Sequence, residues 1–244
     1  ENVEKRGEYD FLVDRLRSQD IEVTLVGSDQ LFNSLADLQR YDAAAAAFAR
    51  YAKAYPDAED AARTQFHAAL IYEKTQDWKK ELGAPPEGDR RFAKTKEHEL
   101  MVQSQLKIAL AQRELKDEKA ARAGYAATVA EFKARGLKPE TSVRAAAAAA
   151  EATFRLAEVE FEKYDAITLP ATTDPKKLQR ALESKFAEAK RVAPLYDDVG
   201  KYKRPDWILA AFYRKAFLLE RLAQTIYDAP IPPEYKKAGM EEFL

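Results

Sequence analysis

Hydrophobic positions along this chain recur at alternating steps of three and four residues, with polar residues between them. The clearest run is closed by Pro56 and consists of Tyr41, Ala44, Phe48, Tyr51 and Tyr55. Steps of three and four place side chains on one face of an α-helix. The residue before a proline is disfavoured in a helical conformation. The pattern therefore predicts an amphipathic helix that ends next to Pro56.

The same periodicity continues along the chain and is supported by start signals such as Asp174 followed by Pro175. It predicts helices at 8–19, 28–38, 40–54, 57–75, 89–115, 117–135, 141–165, 174–193 and 205–228. Few windows alternate with period two; Ile21–Val26 is the best of them, and it is too short to build a sheet. The sequence predicts an all-α fold.

One part of the helical pattern occurs twice. The residues Ala44, Phe48 and Tyr55 recur, 77 positions later, as Ala121, Tyr125 and Phe132. Two units of about 34 residues account for about 68 of these positions. An insertion near 79–90, rich in proline and glycine, accounts for the rest. We expect this insertion to interrupt the second helix of the middle unit.

A small alanine, an aromatic residue one turn later and a closing proline resemble the second helix of the tetratricopeptide repeat (TPR). Ala69 and Tyr72 match the small and aromatic positions of a first helix, Trp78 opens the helix after it, and Ile108–Ala109 repeats the apolar-then-small pair. The resemblance implies antiparallel helical hairpins stacked as a right-handed solenoid.

This pattern predicts four regions along the chain. Residues 1–27 are expected to form an N-terminal capping helix or linker, and 28–138 to hold the TPR-like repeats with their insertion. Residues 139–233 are expected to form degenerate TPR-like or capping helices, and 234–244 a C-terminal tail. The proline-rich segment Tyr227–Pro233 is typical of a module boundary.

Charge and composition exclude several classes of protein. The 40 basic and 41 acidic residues nearly balance, so the basic excess typical of nucleic-acid binding is absent. Charged residues interrupt every apolar stretch, which argues against a transmembrane helix. The chain contains no cysteine, and so no disulfide, thiol nucleophile or thiolate metal site. Because it begins at Glu1, we expect a processed or excised fragment that meets a membrane only through a partner or a removed anchor.

The residues that could carry chemistry lack the partners that catalysis needs. His98 and Glu99 begin like a zinc-protease helix, but Val102 stands where the second histidine belongs. The glycine spacing of Gly83 and Gly88 resembles a phosphate loop without its lysine and hydroxyl residue. Carboxylate pairs such as Glu158 and Glu162 are interpreted as solvated surface. The sequence predicts a protein that is not an enzyme, with no metal and no cofactor.

In a TPR stack the first helices line the concave face, and residues one turn from their core positions point into the groove. The partner-binding residues predicted in this way are Asn33, Arg63, Leu70, Glu73, Gln103, Leu110 and Arg113. The set mixes polar and apolar side chains and lacks the lysine and asparagine cluster that clamps a C-terminal carboxylate. We therefore expect the partner to be another protein, bound through a helix or an extended segment.

Two segments resemble particular TPR proteins. Tyr41–Trp78 is similar to the TPR units of bacterial cell-envelope proteins, and Trp207–Pro233 resembles large envelope TPR proteins of gliding and predatory bacteria, some of them parts of surface-motility machinery. The resemblance implies a non-catalytic adaptor in a periplasmic or outer-membrane-associated complex. The alternatives are a structural homo-oligomeric bundle, or an accessory domain of an envelope or cell-wall enzyme.

Overall fold

The computed structural model describes residues 41–58, 60–83, 97–172 and 174–230. All regular secondary structure in these ranges is helical, which confirms the all-α class. The predicted helices at 8–19 and 28–38 lie outside the described residues. The chain divides into two compact units between Ala121 and Arg122.

Eight α-helices and one 3₁₀ helix make up the described part of the chain. In chain order the α-helices are α1 Tyr41–Ala54, α2 Ala61–Lys74, α3 Trp78–Gly83, α4 His98–Glu114, α5 Glu118–Ala134, α6 Val143–Asp165, α7 Pro175–Asp197 and α8 Pro205–Tyr227. The 3₁₀ helix, Asp198–Tyr202, lies between α7 and α8. The start of α7 follows the predicted signal, because the Asp174 side chain accepts the Lys176 backbone N–H.

Helix α3 begins where the sequence predicts a helix, at Trp78, and it spans Trp78–Gly83. The predicted interruption by the insertion near 79–90 falls mostly on residues outside the described ranges and stays a prediction. A turn with Gln76 at φ 58° ends α2, and Asp77 Oδ1 then accepts the Lys80 backbone N–H at 3.3 Å. A left-handed residue followed by an aspartate cap stops one helix and starts the next.

The same turn recurs between α4 and α5. Lys116 has φ 66°, and Asp117 Oδ1 accepts the Ala120 backbone N–H at 3.0 Å. Each aspartate N–H donates to the carbonyl five residues earlier, on Tyr72 and on Gln112, at 2.9 Å in both turns. The two turns are related by 40 positions, since Gln76 corresponds to Lys116. This register aligns the buried pair Ala69 and Ala109, and it places Glu81 where the later copy has Ala121.

In the first unit, α1 packs on α2, and α3 packs on both α2 and α4. Ala44 and Phe48 are buried, as predicted, but Tyr55 is 42% exposed. Tyr55 lies beyond the last residue of α1, and its ring is tilted by 43° against the Tyr51 ring, with centroids 5.4 Å apart. A cluster of apolar residues joins α2 to α4 and consists of Ala61, Ala62, Phe66, Leu100 and Met101.

In the second unit, α6 packs on α7, α7 on α8, and α8 back on α6. The alanine-rich first half of α6 is buried, including Ala145, Ala146, Ala149 and Ala150. Small side chains let helices approach closely, so the predicted helix-forming run also determines the packing distance. Phe132 meets Tyr202 edge-to-face at 5.4 Å, which anchors the end of α5 on the 3₁₀ helix. The right-handed solenoid stays a prediction.

Candidate interaction surface

Helices α2 and α4 run side by side in the same direction. Arg63 Nη2 lies 2.6 Å from Glu97 Oε1, and Lys107 Nζ lies 2.6 Å from Glu73 Oε2. Both ion pairs join residues that are 34 positions apart. The second pair lies ten residues after the first on α2 and also ten residues after the first on α4. The two helices therefore run in the same direction. The part-exposed face that carries both ion pairs is called the α2–α4 face below.

The predicted groove residues divide into those that bridge the helices and those that do not. Arg63 and Glu73 supply one side of each bridging ion pair. Gln103 donates to the Glu99 carbonyl within α4 at 3.2 Å, and Arg113 pairs with the adjacent Glu114 at 2.7 Å. Arg63 and Glu73 therefore contribute fixed charges to the α2–α4 face, whereas these contacts of Gln103 and Arg113 lie within α4.

The two predicted leucines are only partly exposed. Leu70 packs against the apolar cluster between α2 and α4, and Leu110 has intermediate exposure. Leu70 therefore offers a partner only part of its side chain, because the rest belongs to the interhelical core. Asn33, the remaining predicted residue, lies outside the described residues.

Glu81 on α3 is an acid buried without a partner. It has no exposed surface, and neither carboxyl oxygen accepts a hydrogen bond from any described residue. Burial and the nearby Glu73 carboxylate raise the pKa of Glu81 to about 8, against the opposing effect of Lys107. The side chain is therefore mainly uncharged at neutral pH. Since no part of it reaches solvent, it is a structural group rather than a ligand for substrate.

His67 on α2 packs against α1. Its ring lies edge-on to Phe48, with centroids 6.3 Å apart. Burial and the neighbouring Arg63 charge lower the pKa of His67, which favours the neutral imidazole. A neutral ring packed against a core aromatic residue serves the α1–α2 contact.

Lys185 on α7 is buried in the second unit, and its ammonium group donates two hydrogen bonds. Its Nζ donates to the Tyr164 carbonyl at 3.1 Å and to the Ile167 carbonyl at 2.7 Å, and it lies 4.4 Å from the Tyr164 ring centroid. Burial lowers the pKa of Lys185. The C-terminal end of a helix carries a partial negative charge, so a lysine is well placed at the end of α6.

From the sequence, Glu158 and Glu162 on α6 are interpreted as solvated surface. For Glu158 this interpretation is wrong. Arg214 on α8 holds both of its carboxylate oxygens, and Tyr196 on α7 donates its hydroxyl to Glu158 at 2.6 Å. Burial and this hydrogen bond raise the pKa of Tyr196. Glu162 is exposed, as predicted. Glu158 thus joins three helices, and sequence spacing alone could not separate its role from that of Glu162.

Helix α8 carries an exposed apolar face that the sequence interpretation did not single out. Six exposed residues follow one another at steps of three, four, three, four and three: Leu209, Phe212, Ala216, Leu219, Ala223 and Ile226. We call this set the α8 stripe. The sequence contained the signal, but it was assigned to one generally apolar helix. Ala211, Leu218 and Leu222 form the face that is buried.

Comparison with family models, with curated proteins and with solved structures finds no match for the chain. No helix within the described ranges is long and apolar enough to cross a membrane. The same part of the chain holds no group of three or more histidine, aspartate or glutamate residues arranged to bind a metal ion. The surfaces themselves are therefore the basis for a functional proposal.

Proposed function

We propose that this protein is a non-catalytic TPR-like interaction scaffold whose α2–α4 face holds a helix or an extended segment of another protein. The observation that carries the proposal is the parallel pairing of α2 and α4. The buried apolar cluster between the two helices holds them side by side, and the Arg63–Glu97 and Glu73–Lys107 ion pairs lie across the same contact. A surface that is already ordered loses less conformational entropy when it binds.

The chemistry of the α2–α4 face supports a protein partner. Charged groups at Arg63 and Arg113 lie on the same helices as the partly exposed apolar residues Leu70 and Leu110. Protein interfaces combine partly apolar centres with polar rims in this way. The face therefore suits a segment that carries both apolar and polar side chains.

We place the scaffold in a bacterial envelope complex, either periplasmic or associated with the outer membrane, and in a surface-motility assembly in particular. The support for this setting is the resemblance of Tyr41–Trp78 to envelope TPR units and of Trp207–Pro233 to gliding-machinery proteins. The partner is another envelope protein, and neither nucleic acid nor a cofactor is part of the function.

Site-specific photo-crosslinking in the source organism tests the proposal. A photo-reactive amino acid at Gln103, on the α2–α4 face, should capture one or a few proteins, which mass spectrometry then identifies. The Arg63→Glu/Arg113→Glu variant should lose these crosslinks at least tenfold while keeping its circular-dichroism melting curve. The matched control reverses two exposed basic residues on α7, Lys176→Glu/Arg180→Glu, and should crosslink as the wild type does.

Two outcomes would overturn the proposal. Equal crosslinking by the Arg63/Arg113 variant would remove the α2–α4 face as the binding surface. Crosslinks only between copies of this chain would instead establish the structural homo-oligomer, which sedimentation at several concentrations would confirm.

A further inference from the structure

The α8 stripe has the geometry of one strand of a coiled coil. Its six residues keep the three–four spacing from Leu209 to Ile226, which is the spacing of the a and d positions of a heptad. At 1.5 Å per residue the stripe is about 26 Å long. Leu209, Phe212 and Leu219 are more than 60% exposed. A continuous apolar face of this length on a monomer's surface marks an interaction site.

The opposite side of α8 is firmly attached to its unit. Tyr164 donates its hydroxyl to the Leu218 carbonyl at 3.1 Å, and Arg214 binds Glu158. Leu218 has no exposed surface. Helix α8 is therefore held in one orientation, with the α8 stripe facing outward.

The charges around the stripe indicate what kind of partner would cover it. The three basic residues of α8 are each paired with a carboxylate of the same unit: Arg214 with Glu158, Lys215 with Asp197 and Arg221 with Asp165. The acidic residues Asp206 and Glu220 form no ion pair within the described part of the chain. The charge of α8 that stays uncompensated is therefore negative.

This negative charge lies along one edge of the stripe. Asp206, Tyr213, Glu220 and Tyr227 follow one another at intervals of seven residues. Seven-residue intervals keep side chains in line beside a heptad stripe, at the flanking positions that select partners in coiled coils. An acidic edge favours a partner that carries lysine or arginine there. Anionic lipid is disfavoured, since helices that lie on such membranes present basic residues.

We propose that the α8 stripe is the docking surface for an amphipathic helix of another protein, whose apolar heptad is flanked by lysine or arginine residues that face Asp206 and Glu220. The partner's large apolar residues pack between Leu209, Phe212, Leu219 and Ile226. The alanines at 216 and 223 let the two helix axes approach closely. This inference rests on the proposed scaffold function but uses a different surface from the α2–α4 face.

Binding of designed peptides to the whole chain tests the inference. One fluorescent 21-residue peptide carries leucine at its a and d positions and lysine at the flanking positions, and a sibling peptide carries glutamate there instead. Fluorescence anisotropy should show the lysine peptide binding at least tenfold more tightly than the glutamate peptide. Raising the salt concentration should reduce this preference, because salt screens exposed charges.

Three variants assign the binding to the stripe and its edge. Leu219→Glu places a charge at an exposed stripe position and should weaken binding of the lysine peptide at least tenfold, with an unchanged melting curve. Glu220→Lys should reduce the preference for the lysine peptide several-fold. Phe186→Glu, at an exposed apolar residue of α7, is the matched control and should bind as the wild type does.

The outcomes separate this inference from the scaffold function. If Leu219→Glu binds the lysine peptide as tightly as the wild type does, or if the wild type binds no peptide, the α8 stripe is not the proposed docking surface. Self-association that Leu219→Glu abolishes would also overturn the inference, because it would make a second copy the occupant, and so would binding to anionic vesicles without binding to either peptide. The Arg63→Glu/Arg113→Glu variant should bind the lysine peptide normally. If that variant loses its crosslinks and still binds the peptide, the two surfaces act independently.

Discussion

Glu81 in the first unit and Lys185 in the second are both buried, but their surroundings differ. The Lys185 ammonium group donates to two backbone carbonyls and lies over the Tyr164 ring. The Glu81 carboxyl receives no hydrogen bond from the described residues. A buried charge is stable where hydrogen bonds compensate its desolvation, and a buried acid without them retains its proton instead. The Lys185 ammonium group therefore has hydrogen-bond acceptors inside the fold, whereas the Glu81 carboxyl is accommodated in its neutral form.

Lys185→Met should have the largest effect, because it removes the donor to the Tyr164 and Ile167 carbonyls while keeping a long apolar side chain. Hydrogen bonds that involve a charged group contribute about 1.5–3 kcal/mol. We expect the free energy of unfolding, measured by urea titration, to fall by that amount. Lys190→Met, at an exposed position of the same helix, is the control and should be nearly neutral. Equal effects of the two substitutions would contradict the role of the buried bonds.

Glu81→Gln should raise the free energy of unfolding, whereas Lys185→Met should lower it. At neutral pH it replaces an acid that must hold a proton with a neutral group of the same shape, so we expect about 1–2 kcal/mol of stabilisation at pH 8. Glu81→Ala, which copies the residue at Ala121, should stabilise as well. Destabilisation by both variants would mean that the carboxyl has a favourable partner.

The pH dependence of stability tests whether buried Glu81 keeps its proton in the folded protein. The pKa of Glu81 rises from 4.5 to about 8 on folding, so the folded chain keeps a proton that the unfolded chain releases between these pH values. The stability from this group is full below about pH 4.5 and is lost as the pH rises towards 8. The slope is at most about 1.4 kcal/mol per pH unit.

Urea titrations from pH 5 to pH 9 measure this slope. Glu81→Gln should flatten the profile relative to the wild type. Glu118→Gln removes an exposed carboxylate from the first turn of α5 and should leave the slope unchanged. A wild-type profile as flat as that of Glu81→Gln would show that Glu81 is ionised in the folded protein.

Tyr196→Phe measures how much a neutral hydrogen-bond donor adds to stability when its carboxylate acceptor is already paired with an arginine. It removes the hydroxyl that Glu158 accepts, but Arg214 still holds both carboxylate oxygens. We expect a loss of about 1 kcal/mol in thermal or urea unfolding. Tyr213→Phe, at an exposed tyrosine of α8, is the matched control. A loss as large as that of Lys185→Met would show that the three groups act as one unit.

Arg191→Ala should have the smallest effect. Arg191 pairs with Glu160 and Glu188 at the surface, and exposed ion pairs contribute about 0.5 kcal/mol. Arg122 and Lys163 still neutralise Glu160 in the variant. The loss should shrink further at 1 M salt, and a salt-independent loss would point to packing by the arginine stem instead.

The sequence predicted the helices and much of their core, since both follow from local periodicity. Phe48, Tyr125 and Phe132 are buried where the repeated spacing places them. Tyr55 was assigned to the same pattern, but it follows the end of α1 and is exposed. The pattern records spacing along a helix, and it does not determine where the helix stops.

The surfaces were harder to predict because burial depends on residues distant in sequence. Phe212 and Leu218 belong to the same apolar helix, yet the first is exposed and the second is buried. Glu158 and Glu162 look alike in the sequence, but only Glu158 meets Arg214 and Tyr196. The role of the predicted α2–α4 residues in binding stays a prediction, although the ion pairs of Arg63 and Glu73 could be identified only from the fold.

The packing of each helix on its neighbours in sequence has a consequence for the folding rate. In the first unit α1 meets α2 and α2 meets α3, and in the second α6 meets α7 and α7 meets α8. Short sequence separations make loop closure inexpensive in entropy, and helical proteins with local contacts fold in about microseconds to milliseconds. We expect fast refolding in stopped-flow measurements. During synthesis, the helices of the first unit can also pack while the ribosome is still adding the second.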